Sequence, residues 1–311
     1  MKKIFFAVVA LAAMSSCSKD QTVAEAPQQE IQFGNVFVDN ATRVDYSNED
    51  ALKGFKVYGT ISGTAGTVAL FNGDGADVTR GTADYNDPWS CSESEYWIPG
   101  AAYKFAAVVD ATASVEGGLP TTLTTVDDND MNLKDMLYAE ASVAPAVADQ
   151  GIVEFTFSHL LSKVKFTVKS NTEGDYYHTV TGIKVSNFQT GTYTINGGTW
   201  AGTGSKEVAF ADIANVTNAT GAKSNAEMLL VPTTGSYTVT FTVDLYKGGS
   251  KFGTETKTIE VDTDLVKGNA YNFVINCSVG NPIQFSVTND PSWNYDLNGD
   301  GNNANDDVTI Q

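Results

Sequence analysis

The most regular feature of the sequence is a strict alternation of apolar and polar residues over short stretches. It is clearest over residues 237–245, where Tyr, Val, Phe, Val and Leu alternate with threonines and an aspartate. A period of two residues places the apolar side chains on one face and is typical of a half-buried antiparallel strand. A glycine-rich stretch, residues 247–250, and the β-forming residues 251–261 follow, so the pattern predicts a β-hairpin.

The same alternation recurs along the chain and predicts further strands. It is present over residues 153–157, 164–168 and 271–275. The Asn-Gly-Gly sequence at residues 196–198 marks a second hairpin turn. Residues 72–77, rich in glycine and aspartate, are interpreted as another hairpin tip.

Helical periodicity is scarce, and only residues 133–141 favour a short helix. Short strands separated by turn residues predict an all-β fold of antiparallel β-sandwiches. The strand pattern is interrupted near residues 159–162, and 311 residues exceed what one core usually accommodates. We therefore predict two β-sandwich domains in series, residues 30–160 and 161–289, followed by an acidic tail, residues 290–311.

Residues 1–16 have the features of an export signal. Two lysines precede an apolar run, residues 4–14, which is too short to cross a bilayer because a span needs about 20 residues. Small residues directly before Cys17 resemble the lipobox of bacterial lipoproteins, although Met14 stands where that box usually has leucine. We expect Cys17 to be acylated and to hold the mature chain at a membrane, with residues 17–29 as a tether. The alternative is an ordinary secretory signal with an unmodified cysteine.

Charge and composition exclude several classes of protein. A formal net charge of -18 would repel a polyanion, so no nucleic-acid partner is expected. The only histidines, His159 and His178, are too few for a multi-histidine metal centre. Cys91 and Cys277 are expected to be unpaired, small hydrophobic side chains.

Motifs that carry catalysis are missing from the sequence. It contains no phosphate-binding loop, nucleophile elbow, zinc-protease motif or Cys-x-x-Cys pair. We therefore expect a protein that is not an enzyme. A glycan hydrolase is the least favoured alternative, kept open because the separation of its two carboxylates is spatial and cannot be read from a sequence.

The C-terminal tail contains one metal-binding pattern. Its loop begins at Asp296, has glycine at position 6 and ends on Asp307 at position 12, which matches the calcium loop D-x-[DN]-x-[DN]-G. The candidate ligands are Asp296, Asn298, Asp300, Asn302 and Asp307. Because Asp307 replaces the usual bidentate glutamate, we expect weaker binding of calcium, the one cofactor predicted. The alternative is an acidic tail that matches by composition alone.

An ordered set of segments resembles a known family. The set includes Tyr-Trp-Ile-Pro-Gly at residues 96–100, Phe-Ser-His-Leu-Leu-Ser-Lys-Val-Lys-Phe at 157–166, Val-Lys-Gly-Asn-Ala-Tyr-Asn-Phe at 266–273, and Trp293. Together with the lipobox it resembles the fimbrillin family, the pilin and pilus-accessory lipoproteins of Bacteroides-like bacteria. The resemblance implies two transthyretin-like β-sandwiches, a place in fimbriae at the outer membrane, and as partners other fimbrial subunits and a host or bacterial surface receptor.

The resemblance also implies a mode of assembly, strand exchange. In polymerising members an arginine-specific protease removes the first strand, and an extended C-terminal segment of the next subunit fills the groove by β-augmentation. Arg43, just after the strand-like residues 30–38, is the implied cleavage site, and the cut would also release the lipid anchor. Ile283, Phe285 and Val287 lie on one face of the implied donor strand. Alternatively, Arg43 is an uncut loop residue of an anchor or accessory subunit.

A binding module is the second reading of the sequence. A surface lipoprotein could capture glycans through exposed aromatic side chains such as Trp89, Trp97 and Trp200. Tryptophans in β-sandwiches are more often core residues, which makes this interpretation secondary to the structural one.

Overall fold

The structure is a computed structural model that describes residues 29–38, 52–81, 88–128, 132–144, 151–291, 293 and 308–310. In these residues the fold is all-β apart from one short 3-10 helix, Phe71–Gly73. The strands up to the middle of the chain are β1 (Gln32–Val38), β2 (Gly54–Gly63), β3 (Gly66–Ala69), β4 (Ala76–Arg80), β5 (Trp89–Cys91), β6 (Ala102–Val109), β7 (Ala111–Glu116), β8 (Leu119–Thr125), β9 (Leu137–Val143) and β10 (Ile152–His159).

In the second half of the chain, six short strands separate two pairs of long strands. The strands of this half are β11 (Ser162–Asn171), β12 (Tyr176–Asn187), β13 (Thr190–Thr194), β14 (Thr199–Thr203), β15 (Lys206–Ala209), β16 (Ile213–Val216), β17 (Lys223–Ser224), β18 (Met228–Leu230), β19 (Tyr237–Lys247), β20 (Ser250–Val261), β21 (Ala270–Ser278), β22 (Gln284–Asp290) and β23 (Val308–Ile310). Among the described residues, no helix is long and apolar enough to cross a membrane.

The N-terminal sheet has eight strands in the order β1-β10-β9-β6-β2-β4-β5, with β3 also paired to β2. β1 pairs with β10 in parallel, whereas the other neighbours are antiparallel. The two edges of this sheet approach each other, because residues 29–31 are hydrogen-bonded to residues 95–97, just after β5. The sheet therefore curves around a cluster of apolar side chains, the N-terminal core, which includes Phe33, Phe55, Phe105, Phe155 and Phe157.

The second half of the chain forms a sandwich of two sheets. The β11 sheet has six strands in the order β17-β11-β21-β22-β23, with β18 also on β11. The β12 sheet has five strands in the order β15-β12-β19-β20, with β16 also on β12. Alternate residues of both sheets point inward and form the C-terminal core, which includes Phe166, Val180, Phe241, Phe273 and Phe285.

A four-stranded junction sheet, in the order β14-β13-β8-β7, joins the two halves of the chain. Its central pairing places Tyr193 opposite Leu123. Both side chains are buried in a junction core with Met136, Leu160 and Leu161. The two halves thus share a hydrophobic cluster at residues 159–162, where the strand pattern of the sequence is interrupted.

The structure confirms the all-β fold and two of the three predicted hairpins. β19 and β20 contain the alternating residues 237–261, and β13 and β14 enclose a turn in which Gly197 and Gly198 have positive φ angles of 105° and 64°. Glycine adopts this left-handed conformation without the steric cost that a Cβ atom imposes.

Two local predictions are wrong. The helix expected over residues 133–141 is instead β9, a central strand between β10 and β6 with Leu137 and Ala139 turned inward. A short apolar segment fits both the helical period of 3.6 residues and the strand period of two. Residues 72–77 are not a hairpin tip, because they lead from the 3-10 helix into β4, and β3 and β4 each pair with β2 and not with each other.

Candidate functional site

β1 fills a slot in the N-terminal half that two different neighbours define. On one side Gln32 and Phe33 lie opposite Ile152 and Val153 of β10. On the other side the backbone N–H of Ile31 donates to the carbonyl oxygen of Glu95 at 2.8 Å. In the same pairing the N–H of Trp97 donates to the carbonyl oxygen of Gln29 at 2.9 Å. We call this space, between β10 and residues 95–97, the β1 slot.

Phe33 is the side chain that connects β1 most extensively to the core. Its ring stacks on Phe155 with centroids 6.0 Å apart and meets the edge of Phe105 at 5.6 Å. Phe71 is the third neighbour, at 6.2 Å. Full burial of a phenylalanine side chain contributes about 1.5–3 kcal/mol, and such aromatic pairs add about 0.5–1.5 kcal/mol. Removing β1 would therefore leave three aromatic rings without a cover.

The apolar residues of β1 alternate, and the strand contains an irregularity. Ile31, Phe33 and Val38 are buried in the N-terminal core, whereas Gln32 is exposed. The register with β10 shifts between Gly34 and Phe37, which indicates one extra residue in β1. Val36, inside this shifted stretch, packs partly buried against the same core.

The predicted donor residues lie in or beside β22 of the C-terminal half. Phe285 and Val287 are buried in the C-terminal core, and Ile283 packs against that core from just before the strand. The Phe285 ring lies 5.7 Å from Phe273 of β21, in an edge-on arrangement. In this structure these side chains complete the sheet of their own chain.

The end of β22 is fastened at the junction between the halves. Trp293 is buried, and its ring stacks on His159, the last residue of β10. His159 Nδ1 lies 3.0 Å from a carboxylate oxygen of Asp135, and Lys163 Nζ lies 5.0 Å from the centre of the Trp293 ring. The sequence identifies His159 and Trp293 separately, but only the fold brings them together, because they are far apart in the chain.

Several predicted site residues lie outside the described residues. Cys17, the expected lipid attachment site, and Arg43, the expected cleavage site, both do. The same holds for the whole candidate calcium loop: Asp296, Asn298, Asp300, Asn302 and Asp307. Within the described part of the chain, no group of three or more His, Cys, Asp or Glu side chains is arranged to hold a metal ion.

The tryptophans considered for glycan binding are not exposed. Trp97 is buried, with its ring 4.7 Å from Tyr103. Trp89 and Trp200 are half-buried, the first against Phe55 at 5.2 Å and the second against Tyr193 at 5.4 Å. The glycan-binding alternative requires exposed rings, whereas the favoured interpretation, that these tryptophans pack against the cores, agrees with the structure.

Of the groups that could act as a base or a nucleophile, His178 and Cys277 are buried and Cys91 is half-buried. Burial lowers the pKa of His178, whose Nδ1 lies 2.8 Å from the Oγ atom of Ser170, itself buried. Burial raises the pKa of Cys277 to about 12, so that thiol stays protonated. Cys91 is a half-buried free thiol that packs against the N-terminal core, whereas Cys277 lies in the C-terminal core. Reactive thiols and bases need exposure, which His178 and Cys277 lack.

Comparison with known proteins identifies similar folds. A protein of Bacteroides uniformis that is ascribed to cell adhesion aligns with a TM-score of 0.52 and 17% identity, covering 86% of this chain and 98% of that chain. A similarly ascribed protein of Bacteroides ovatus aligns with a TM-score of 0.50 and 13% identity, covering 85% of this chain and 95% of that one. The fimbrial anchor protein Mfa2 of Porphyromonas gingivalis aligns at 0.42 with 13% identity, covering 84% and 97%.

These identities are low, so the first two alignments support a shared fold and nothing finer. No curated protein matches the chain. A sequence profile described as fimbrillin-like matches residues 42–291, which include nearly all the described strands. Because that match spans most of the sequence, the chain belongs to the fimbrillin-like family.

Proposed function

We propose that this chain is a subunit of cell-surface fimbriae, exported as a lipoprotein through Cys17 and assembled by strand exchange. The observation that supports this most directly is the position of β1. A single strand near the N-terminus covers Phe105 and Phe155 and is held between two elements that come later in the chain. Its removal would open one defined slot and leave the rest of the chain connected.

The proposed cleavage follows from the position of Arg43, shortly after β1. A cut there would separate β1 and the lipid anchor from the remainder of the subunit. The exposed slot would present unpaired backbone groups of β10 and a row of uncovered aromatic rings, and such an edge readily accepts another strand.

The donor that we propose is β22 of a second subunit. Phe285 and Val287 are buried in their own sheet, so donation requires that β22 leave the C-terminal core. Departure of β22 opens its place beside β21 in the C-terminal core. The contacts made in the acceptor slot must therefore outweigh the contacts that β22 loses in its own sheet.

Two further parts of the proposal concern the surroundings of the subunit. We place it at the outer membrane before processing and in a fimbria afterwards, with other fimbrial subunits as partners and a surface receptor as the target of adhesion. The loop from Asp296 to Asp307 would bind calcium next to the donor segment and stabilise its base.

Arginine-specific cleavage in vitro tests the proposal. The chain contains only two arginines, Arg43 and Arg80, which allows matched variants. We expect the protease to convert the wild type and Arg80→Lys into shorter chains that form SDS-resistant oligomers, whereas Arg43→Lys stays monomeric. A chain cut after Arg43 that loses β1 and remains monomeric would contradict strand exchange.

A further inference from the structure

The tripeptide Ile-Gln-Phe occurs twice in the chain, at residues 31–33 and at 283–285. The first copy enters β1 and the second enters β22. In both copies the isoleucine and the phenylalanine pack on a hydrophobic core, and the glutamine is exposed. The two strands therefore present the same side chains with the same alternation to two different cores.

The likeness continues for one more apolar residue. After Phe33 the extra residue of β1 lets Val36 pack against the N-terminal core. After Phe285 the regular strand β22 turns Val287 inward. Both strands thus offer isoleucine, phenylalanine and valine in the same order, and β22 reaches the valine without a bulge.

We propose that β22 of a second copy occupies the β1 slot parallel to β10, in one defined register. Gln284 lies opposite Ile152 and Phe285 lies opposite Val153, as Gln32 and Phe33 do in the intact chain. In this register Ile283, Phe285 and Val287 take the places of Ile31, Phe33 and Val36. The inference rests on the proposed strand exchange and adds the direction and the register of the donor strand.

Side-chain chemistry disfavours the neighbouring registers. A shift by one residue turns Gln284 and Ser286 into the core, because successive side chains of a strand point to opposite faces. A shift by two residues in one direction sets Val287 in the place of Phe33, which leaves a cavity beside Phe105 and Phe155. The opposite shift sets the smaller Ile283 there and pushes Phe285 toward the position of Val36, which overpacks it.

One position in the slot must adapt to the donor. A Cβ atom at Gly34 would lie 2.9 Å from Cγ2 of Ile152, and the proposed register replaces Gly34 by Ser286. Ile152 is 49% exposed, so its side chain can rotate away. The fit therefore requires a rotamer change at Ile152 and no movement of the buried rings.

Cysteine pairs test the register directly. The test pair is Ile152→Cys with Gln284→Cys, and the matched control is Ile152→Cys with Ser286→Cys, whose second position lies opposite Glu154 in the proposed register. Within one chain Gln284 is paired with Asn276 of the β11 sheet and Ile152 belongs to the N-terminal sheet, so neither pair is set up to cross-link internally. The parent chain, which retains Cys91 and Cys277, measures the background.

The full mature chains are cleaved after Arg43, assembled and then oxidised with copper phenanthroline. We expect the test pair to give a covalent ladder on non-reducing gels at least tenfold stronger than the control pair. Oligomers that cross-link equally through both pairs, or better through the control, would overturn the register and leave the proposed assembly standing. Absence of oligomers in size-exclusion chromatography of every cleaved variant, the parent included, would overturn both.

Discussion

The indole ring of Trp293 stacks on the imidazole of His159, with the ring centroids 4.1 Å apart and 15° between the planes. His159 ends β10 in the N-terminal half, whereas Trp293 follows β22 at the end of the C-terminal half. Trp293 also has a left-handed φ of 61°, a conformation that costs a bulky residue about 1–3 kcal/mol. The stacking contact must offset this strain, and it holds β22 in its own sheet. The contact has to break before β22 can leave.

The variant Trp293→Ala tests this restraint. Loss of a buried, stacked tryptophan should lower the free energy of unfolding by about 3–5 kcal/mol, and alanine keeps the Cβ atom, so the backbone strain is not relieved. After cleavage at Arg43 the variant should form oligomers faster than the wild type, measured by light scattering. Trp200→Ala is the matched control, since it removes a half-buried tryptophan from the junction sheet without touching β22. Equal acceleration in both variants would show that general destabilisation is the cause.

The variant Phe33→Ala tests whether β1 stabilises the intact subunit but is absent from the assembled one. Before cleavage the variant should lose about 3–5 kcal/mol of stability, because Phe33 fills the space between Phe105 and Phe155. Cleaved chains purified free of β1 are identical in the variant and the wild type, so they should assemble at the same rate. Phe285→Ala should weaken both the monomer and the oligomer. Chemical denaturation and size-exclusion chromatography provide the two readouts, and slow assembly of cleaved Phe33→Ala would mean that β1 is not released.

The buried imidazole of His178 makes stability dependent on pH. Burial lowers its pKa below the ordinary histidine value of about 6.5, so the unfolded chain takes up a proton more readily than the folded one. With the imidazole neutral, the free energy of unfolding is at its full value above about pH 6.5. It decreases as the pH falls through the lowered pKa of His178 in the folded state. His178→Gln keeps a polar partner for Ser170 and should show a smaller loss between pH 7 and pH 5 than the wild type in denaturation curves. An unchanged pH slope would assign the acid sensitivity to other groups.

Calcium binding by the tail is tested by removal of two candidate ligands. Isothermal titration calorimetry should detect calcium binding by the wild type, with weak affinity because Asp307 stands in place of glutamate. Asp296→Ala with Asp300→Ala should abolish the heat signal. Glu173→Ala with Asp175→Ala, in an exposed turn between β11 and β12, removes the same charge and should leave binding unchanged. Calcium binding that persists in Asp296→Ala with Asp300→Ala would show that the loop is not the calcium site.

Local alternation predicts several of the strands but not their long-range partners. β19 and β20 follow from the sequence because one face of the hairpin is apolar and its turn is rich in glycine. The junction sheet could not be predicted, because the pairing of Thr192 with Thr124 joins hairpins from different halves through side chains without a distinctive pattern. β9 was mistaken for a helix since a short, alanine-rich segment fits both periodicities.

The candidate site was likewise only partly predictable. The apolar faces of β1 and of Ile283, Phe285 and Val287 can be read from the sequence, since strand periodicity fixes them. The stacking of Trp293 on His159 and the closure of the N-terminal sheet by residues 95–97 depend on tertiary contacts between distant segments. Such contacts are specified by packing, which a single sequence does not reveal.

The most direct test of strand exchange is the N-terminus of the subunit as it exists in fimbriae on the cell surface. Fimbriae sheared from cells would be dissociated and the N-terminal peptide determined by mass spectrometry, with the membrane fraction analysed in parallel. The account predicts that polymerised chains begin at Val44 and that chains with an acylated Cys17 stay in the membrane fraction. Polymerised chains that begin at Cys17 and retain β1 would contradict it.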